Sequence, residues 1–405
     1  MKRLMILGAG DEQIPLINKA RELGLTTIVV DGQPERPGAK LGDEFLQIDI
    51  LDEAACIAAA RVGAIDGITT SVLSQGIRTL GAVAEALNLP GLRRESAFAV
   101  TNKIEMRKRL AAANVPSLPF AVATSAAQAH QHAIAMGMPL IFKPPDGSGS
   151  RGVRVVERLE QVDSAYQEAV AAVRSTRPDA HSVLIEQFVR GSNYGSEGII
   201  IDGHPHFLTI REMLLTPLPY RQELGYVFPV QQPPGFESRL AAYIERVARA
   251  LGLDRVPFHA DFIYDGSTFV LLEIGARMPG YGLSYSFIPH ATGLDFYTLV
   301  IQLALGETIL VPEPKRNPTA MLFLRPMPGI VHKLPVLEPL RNEPSVVHFA
   351  CNLAPGDHIP EVTDGASALK SGFVVTKGST VDHALRNAQE IVRRFQQGLV
   401  YATEE

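Results

Sequence analysis

The chain has 405 residues, 46% hydrophobic and 20% charged, enough apolar side chain for large cores and, at roughly 100 to 200 residues per domain, for two to four domains. Its formal charge is −5, and no Lys/Arg run is interleaved with aromatics, which argues against nucleic acid as a partner. Cys56 and Cys351 lack CxxC spacing and no run approaches eighteen apolar residues, so a disulfide framework, a cysteine-held zinc and a membrane span are not expected.

The opening "MKRLMILGAG" has the look of a signal peptide until Asp11 and Glu12 break its apolar stretch, so a cytoplasmic protein is expected. Residues 3–8 read as a buried strand. "QIPLINKARELG" then places Ile14, Ile17, Ala20 and Leu23 at helical spacing and stops at Gly24, and "TTIVVDG" is a second strand. With "IDGITT" and the helical "GIRTLGAVAEALNL" the alternation continues, predicting a doubly wound parallel-sheet domain over 1–95. Ser71, Ser74 and Gln75 fall at a strand's carboxyl end, where α/β domains bind ligands; capping of the loop is the alternative.

"LGAGDEQ" sets GxG between strand and helix, with Asp31 placed like the acid of a dinucleotide fingerprint. The third glycine position is Gln13, so a tight turn that packs helix on strand competes with a nicotinamide site. After a helix around "TNKIEMRKRLAAANV", prolines 116 and 119 open a second unit. "PLIFKPP", "GVRVVE", "SVLIEQFV" and "SEGIIIDG" read as its hairpin-linked strands, with few helices. "RLAAYIERVARALGL" reads as a helix leading into the hairpin "VPFHADFIYDG"/"TFVLLEIGAR", and beyond about 312 the chain is β-rich with a last helix, "TVDHALRNAQEIVRRFQQ".

Neither a Walker A sequence nor kinase motifs occur. The loop of "KPPDGSGSRGV" nevertheless offers glycine N–H groups at close range and serine hydroxyls, with Lys143 before it and Arg151 within it. A mobile cover over phosphates is the functional reading and a solvent-exposed hairpin turn the bland one. His204, His206, His259 and His290 have no metal-binding spacing and read as structural.

Five stretches, "TNKIEMRKRL", "PLIFKPPDGSGSRGV", "VLIEQFVRG", "FHADF" and "LLEIGARMPG", resemble the ATP-grasp superfamily in kind and in order. The resemblance implies an α/β and α+β protein: the N-terminal parallel-sheet domain at 1–95, an ATP-grasp small lobe with linker at 96–190, a large lobe at 191–312 and a β-rich C-terminal domain at 313–405. It implies ATP as the nucleotide and Mg²⁺, or Mn²⁺, as the metal. Lys103 and Lys143 resemble the two lysines that neutralise nucleotide phosphates, and Ser148, Gly149 and Ser150 the loop that closes over them. Glu186 resembles the acceptor for the adenine amine, with the backbones of Gln187 and Val189 on the ring edge; Asn193 or Glu197 stands where a ribose ligand is usual.

Asp261 and Glu273 lie on the two strands of one hairpin and are the implied metal ligands. The pattern departs there from the usual form, since Asp261 replaces Glu and Gly275 replaces the asparagine of "E-I-N-P-R". Arg277, beside Gly280 in "ARMPG", resembles the arginine on the acceptor carboxylate or acyl phosphate. "PLPYRQELGYVFP" resembles the second-substrate segment of amino-acid ligases, with Glu223 placed for an ammonium group. The implied activity is a carboxylate–amine ligase acting through an acyl phosphate on small-molecule carboxylate and amine substrates, amino acids first, in a homodimer. A purine-pathway carboxylase or transformylase and a non-catalytic nucleotide-binding protein are the alternatives.

Overall fold

The computed structural model describes residues 1–147, 149–174, 181–218, 221–361 and 371–402. Strands β1 (Arg3–Leu7), β2 (Thr26–Asp31), β3 (Glu44–Gln47) and β4 (Gly67–Thr70) form a sheet of order β3-β2-β1-β4, parallel at each pairing. β1, β2 and β4 are almost wholly buried, as expected of a parallel sheet covered on both faces. Helices α1 (Ile14–Glu22), α2 (Glu53–Val62) and α3 (Gly76–Ala86) supply the cover. Pro15 opens α1, and Gly24 follows it at a positive φ of 74°.

Helices α4 (Arg94–Thr101) and α5 (Lys103–Ala112) come next, and α5 begins sharply because the Asn102 side chain accepts the Glu105 N–H at 3.0 Å. Their apolar faces, through Ala97, Ala99, Met106 and Leu110, join a core that runs into the large lobe, whereas the small-lobe core begins at Ala123. The small lobe is an antiparallel sheet of β5 (Phe120–Ala123), β6 (Leu140–Lys143), β7 (Arg154–Val156) and β8 (Val183–Gln187), in the order β5-β8-β6-β7. Two helices, α6 (Ala126–Met136) and α7 (Val162–Arg174), pack on it, more helix than the strand-like sequence pattern predicts. The buried stripe of α6 is alanine alone, Ala129 and Ala133, a weak periodic signal, while α7 adds Ala165 and Ala169 to Val162, Tyr166, Val170 and Val173.

The large lobe contributes β9 (Ser192–Ile201), β10 (His204–Leu215), β11 (Glu223–Phe228), α8 (Phe236–Leu251), β12 (Val256–Tyr264) and β13 (Phe269–Gly275). Short α9 (Ile288–Thr292) and α10 (Phe296–Ala304) follow, and α10 packs against α1 and β4 of the N-terminal unit. The C-terminal segment holds β14 (Thr319–Phe323), β15 (Gly329–Lys333), α11 (Glu338–Arg341), β16 (Val346–Cys351), β17 (His358–Ile359), β18 (Gly372–Lys377), α12 (Val381–Gly398) and β19 (Val400–Tyr401). It does not stand apart: β14 pairs with β11, so one eight-stranded sheet runs β13-β12-β9-β10-β11-β14-β18-β16. No described helix is long and apolar enough to cross a membrane.

Candidate active site

The small-lobe wall is set by strand register. β6 and β8 pair Ile141 with Glu186 and Lys143 with Leu184, so Lys143 and Glu186 share one face as diagonal neighbours. Lys143 Nζ lies 2.6 Å from Glu186 Oε2, and Arg107 Nε donates to Glu186 Oε1 at 2.6 Å, all three side chains being buried. Arg107 is four residues after Lys103 on α5, on the same helix face. Its Nη2 donates to the Leu272 carbonyl at 3.0 Å. That carbonyl lies at a bulge, since β13 passes from Glu273 opposite Asp261 to Leu271 opposite Phe262 and leaves Leu272 unpaired. Burial, only partly offset by Glu186, lowers the Lys143 ammonium to about 8. Burial works against Glu186 ionisation as well, but the Arg107 and Lys143 charges prevail and hold it below its ordinary value.

The large-lobe wall carries the two candidate metal carboxylates. Asp261 and Glu273 face each other across β12 and β13. Lys103 Nζ lies 2.9 Å from Glu273 Oε2 and donates to the Gly147 carbonyl at 3.2 Å, tying the glycine loop to this wall. The Glu273 side chain keeps 37% of its surface open; burial of the rest would raise it, yet Lys103 holds it down at about 2. Asp261 is more recessed, and burial lifts its carboxyl to about 6 against the pull of His259 and Arg211.

Beneath Asp261 lies a charged layer. Glu197 accepts from Arg211 Nε at 3.0 Å, lies 2.9 Å from His259 Nδ1 and takes a short hydrogen bond from Thr209. Although burial opposes its ionisation, Arg211 and these partners keep it at about 2. The Arg211 guanidinium is sandwiched between the Tyr226 ring, 4.0 Å from its centroid, and Gly195, whose missing Cβ would fall 2.4 Å from Arg211 Cζ. Arg211 Nη2 and His259 Nε2 each stand 3.7 Å from an Asp261 oxygen.

The N-terminal unit closes the third side. Arg277 Nε donates to Ser74 Oγ at 3.0 Å and Nη1 to the Met278 carbonyl at 3.2 Å. Burial pulls the guanidinium down while Glu273 and Asp261 pull it up, which sets it among both carboxylates. Gly280 packs where a Cβ would meet Val72 at 2.6 Å, and Val72 and Tyr281 both hold left-handed backbone, φ 68° and 54°. Such strain at non-glycine residues clusters at ligand-handling sites. Two ion-paired lysines, two facing carboxylates and a half-buried arginine thus line neighbouring walls.

Residues 136–284 match the ATP-grasp domain, and residues 321–398 match the L-amino acid ligase C-terminal domain 2. The chain carries an ATP-grasp domain. Its fold superposes on an L-amino acid ligase from Bacillus licheniformis with a TM-score of 0.81 at 22% identity, covering 100% of this chain and 99% of that one. It is 26% identical over 311 residues to a formate-dependent phosphoribosylglycinamide formyltransferase of Parasynechococcus marenigrum, 74% of this chain and 73% of that protein. Dapdiamide A synthase of Enterobacter agglomerans is 25% identical over 284 residues, 67% of this chain and 65% of that protein.

On the ATP-grasp framework the remaining expected residues fall as follows. Ser148 lies outside the described residues. Gly149 and Ser150 take positive φ of 72° and 53°, as Gly147 does at 99° and Gly152 at 68°. Glu186 spends its carboxylate on Lys143 and Arg107, and the Gln187 N–H donates to the Pro119 carbonyl at 3.1 Å; Val189 is half-buried in the turn that joins the lobes. Asn193 caps its own loop, Nδ2 to the Gly191 carbonyl at 3.1 Å, and Glu197 is locked under Asp261. Glu223 accepts a short hydrogen bond from Tyr226, whose phenol is raised by burial and by the charges of Glu223 and Asp261.

Gln13 fills the place of the third fingerprint glycine: its Oε1 accepts the Gly10 N–H at 3.0 Å and its Nε2 donates to the Ser71 carbonyl. Asp31 is used up on the amides of Ala9 and Gln33, so the loop reads as a tight turn. Arg107, Arg211 and Tyr226 were not singled out in the sequence. Their signals are slight: Arg107 shares a helix face with Lys103, and Arg211 alternates with Thr209 on the inward side of β10.

For a divalent metal the donors fit. Asp261 and Glu273 are hard oxygen ligands on paired register positions, and the buried Asp261 Oδ1 has no hydrogen-bond partner among the described residues. Two carboxylates are fewer than a full shell, which suits an ion that arrives with phosphate oxygens and water.

Proposed function

We propose that the protein joins the carboxylate of one amino acid to the amine of a second, with ATP cleaved to ADP and phosphate. The carrying observation is that Glu273 is at once paired to Lys103, opposite Asp261 and within the field of Arg277, so phosphate, metal and acyl centre share one wall. The match of the C-terminal segment to an amino-acid ligase domain supports amino acids over other carboxylates.

Lys103 and Lys143 offset charge on the nucleotide phosphates while the N–H groups of Gly149 and Ser150 close over them. The adenine edge would be read where β8 ends at Gln187 and the chain passes Val189 between the lobes, with Asn193 near the ribose end. Bound at Asp261 and Glu273, Mg²⁺ supplies charge neutralisation of the phosphoryl oxygens. The donor carboxylate, oriented by Arg277 at the Gly280 turn, attacks the γ-phosphorus; a P–O bond forms and ADP leaves. The amine of the second amino acid, with Glu223 near its ammonium binding point, attacks the acyl carbon, loses a proton and expels phosphate. Arg277 donates to the oxygen that gains charge, and positioning and charge stabilisation account for the rate.

ADP release in a coupled assay, with MgATP and single or paired amino acids, tests the reading. Release is expected only with productive pairs and is expected to fall by at least about 100-fold in Glu273→Gln and in Arg277→Ala. Release driven instead by ribonucleotides with bicarbonate or formate, and not by amino acids, would transfer the chain to the purine-type reading.

A further inference from the structure

Glu12 is not part of the machinery described above. It lies in the turn after Gly10 at the edge of the N-terminal unit, where its Oε1 accepts the Tyr281 N–H at 3.2 Å. Its other oxygen, Oε2, is buried with no hydrogen-bond partner among the described residues. Burial pushes this carboxyl up to about 6 in spite of the Tyr281 N–H. No described lysine or arginine forms an ion pair with it. A carboxylate oxygen withdrawn from water and left without a donor is costly, and a donor that reaches it is favoured.

The surroundings say what kind. The phenols of Tyr285 and Tyr297 lie within the field of the Glu12 charge, which raises both together with burial, and Tyr297 lies beside the Ser71 hydroxyl. Ser71 and Ser74 belong to the same N-terminal loop, and Ser74 holds Arg277. Glu12 and Arg277 therefore brace the two ends of one segment, Arg277–Tyr281, and the Tyr281 phenol lies in the fields of Glu12, Arg151, Glu223 and Arg277. An arginine at one end of this short segment and a carboxylate with an unpaired oxygen at the other offer opposite charges, the complement of the two charged ends of an amino acid.

We propose that Glu12 Oε2 accepts the ammonium group of the donor amino acid, making the N-terminal unit the element that selects amino acids over simple carboxylic acids. This rests on the ligase reading above. Glu12 would thereby fix which substrate is activated, leaving Glu223 to the incoming amine. A charged pair sheltered from water discriminates strongly against a ligand that lacks the partner charge.

The test compares wild type with Glu12→Gln, which keeps an oxygen for the Tyr281 N–H but has no charge. Steady-state ADP release is measured with each donor amino acid and with its deamino analogue, the same acid lacking the nitrogen, and ADP affinity is measured by titration. In wild type the amino acid is expected to be preferred by at least about 100-fold. In Glu12→Gln its KM should rise by roughly 10- to 100-fold and the preference should collapse, with ADP affinity changed less than about twofold. An unchanged preference in Glu12→Gln overturns the assignment and leaves the ligase reading standing. If no pair of substrates releases ADP in wild type, that reading fails, and thermal-shift titration with the same amino acids judges the subsite alone: stabilisation of wild type that is lost in Glu12→Gln supports it, and equal shifts in both sink it.

Discussion

Burial lowers Lys143 to about 8 in the nucleotide-free protein, so its ammonium, and the attraction it offers a triphosphate, is lost as pH rises through that value. The kcat/KM for ATP, which reports the free enzyme, is therefore expected to have a descending limb near pH 8, with Lys143→Arg moving it to higher pH. A profile that stays flat to pH 10 would contradict the role given to this lysine. Residues of this kind were legible in the sequence because each sits in a compact stretch with its own chemistry: a lysine before a glycine loop, acids inside apolar strands. Arg107 and Arg211 were not, because an arginine in "KIEMRKRL" or "TIREM" looks like any solvated charge until the fold buries it against Glu186 or Glu197. Glu186 was readable as a buried acid; that its partners would be Lys143 and Arg107 depended on strand register, which a single sequence leaves open.

At the scale of elements, the paired strands β9, β10 and β12 act as the bed on which Asp261 rests. Gly195 stands opposite both Arg211 and Asp261, and its lack of a side chain lets the guanidinium lie flat on the strand. Gly195→Ala is expected to push Arg211 off Glu197 and Tyr226, at about 1–3 kcal/mol in urea unfolding. Because Asp261 would move with it, apparent Mg²⁺ affinity should weaken in step. Unchanged stability and unchanged metal dependence together would show that the charged layer is not what holds Asp261. The hairpin itself was plain from the alternating apolar runs around Asp265 and Gly266, while the bulge that presents the Leu272 carbonyl to Arg107 was not, since one extra residue leaves the hydrophobic pattern almost intact. The alanine stripe of α6 was a weak signal because small side chains pack well but barely mark a period.

For the whole molecule, order along the chain translated well into order in space as far as the hairpin, and less well after it. The β-rich C-terminal segment reads as a separate domain, yet β14 adds to β11 and carries β18 and β16 into the large-lobe sheet. Pairing between distant strands leaves no local trace, so only the fold reveals it. In the same way Ser74 and Arg277, more than two hundred residues apart, meet because α10 packs against α1 and β4 and locks the N-terminal unit to the ATP-grasp cleft. On the proposed function, this cleft activates a carboxylate by phosphorylation before an amine arrives. Donor amino acid labelled with ¹⁸O in its carboxylate, turned over with MgATP and acceptor, tests it by mass spectrometry of the products. Inorganic phosphate carrying one ¹⁸O per amide bond formed, with ADP unlabelled, is expected. Unlabelled phosphate, or label appearing in AMP, would contradict it.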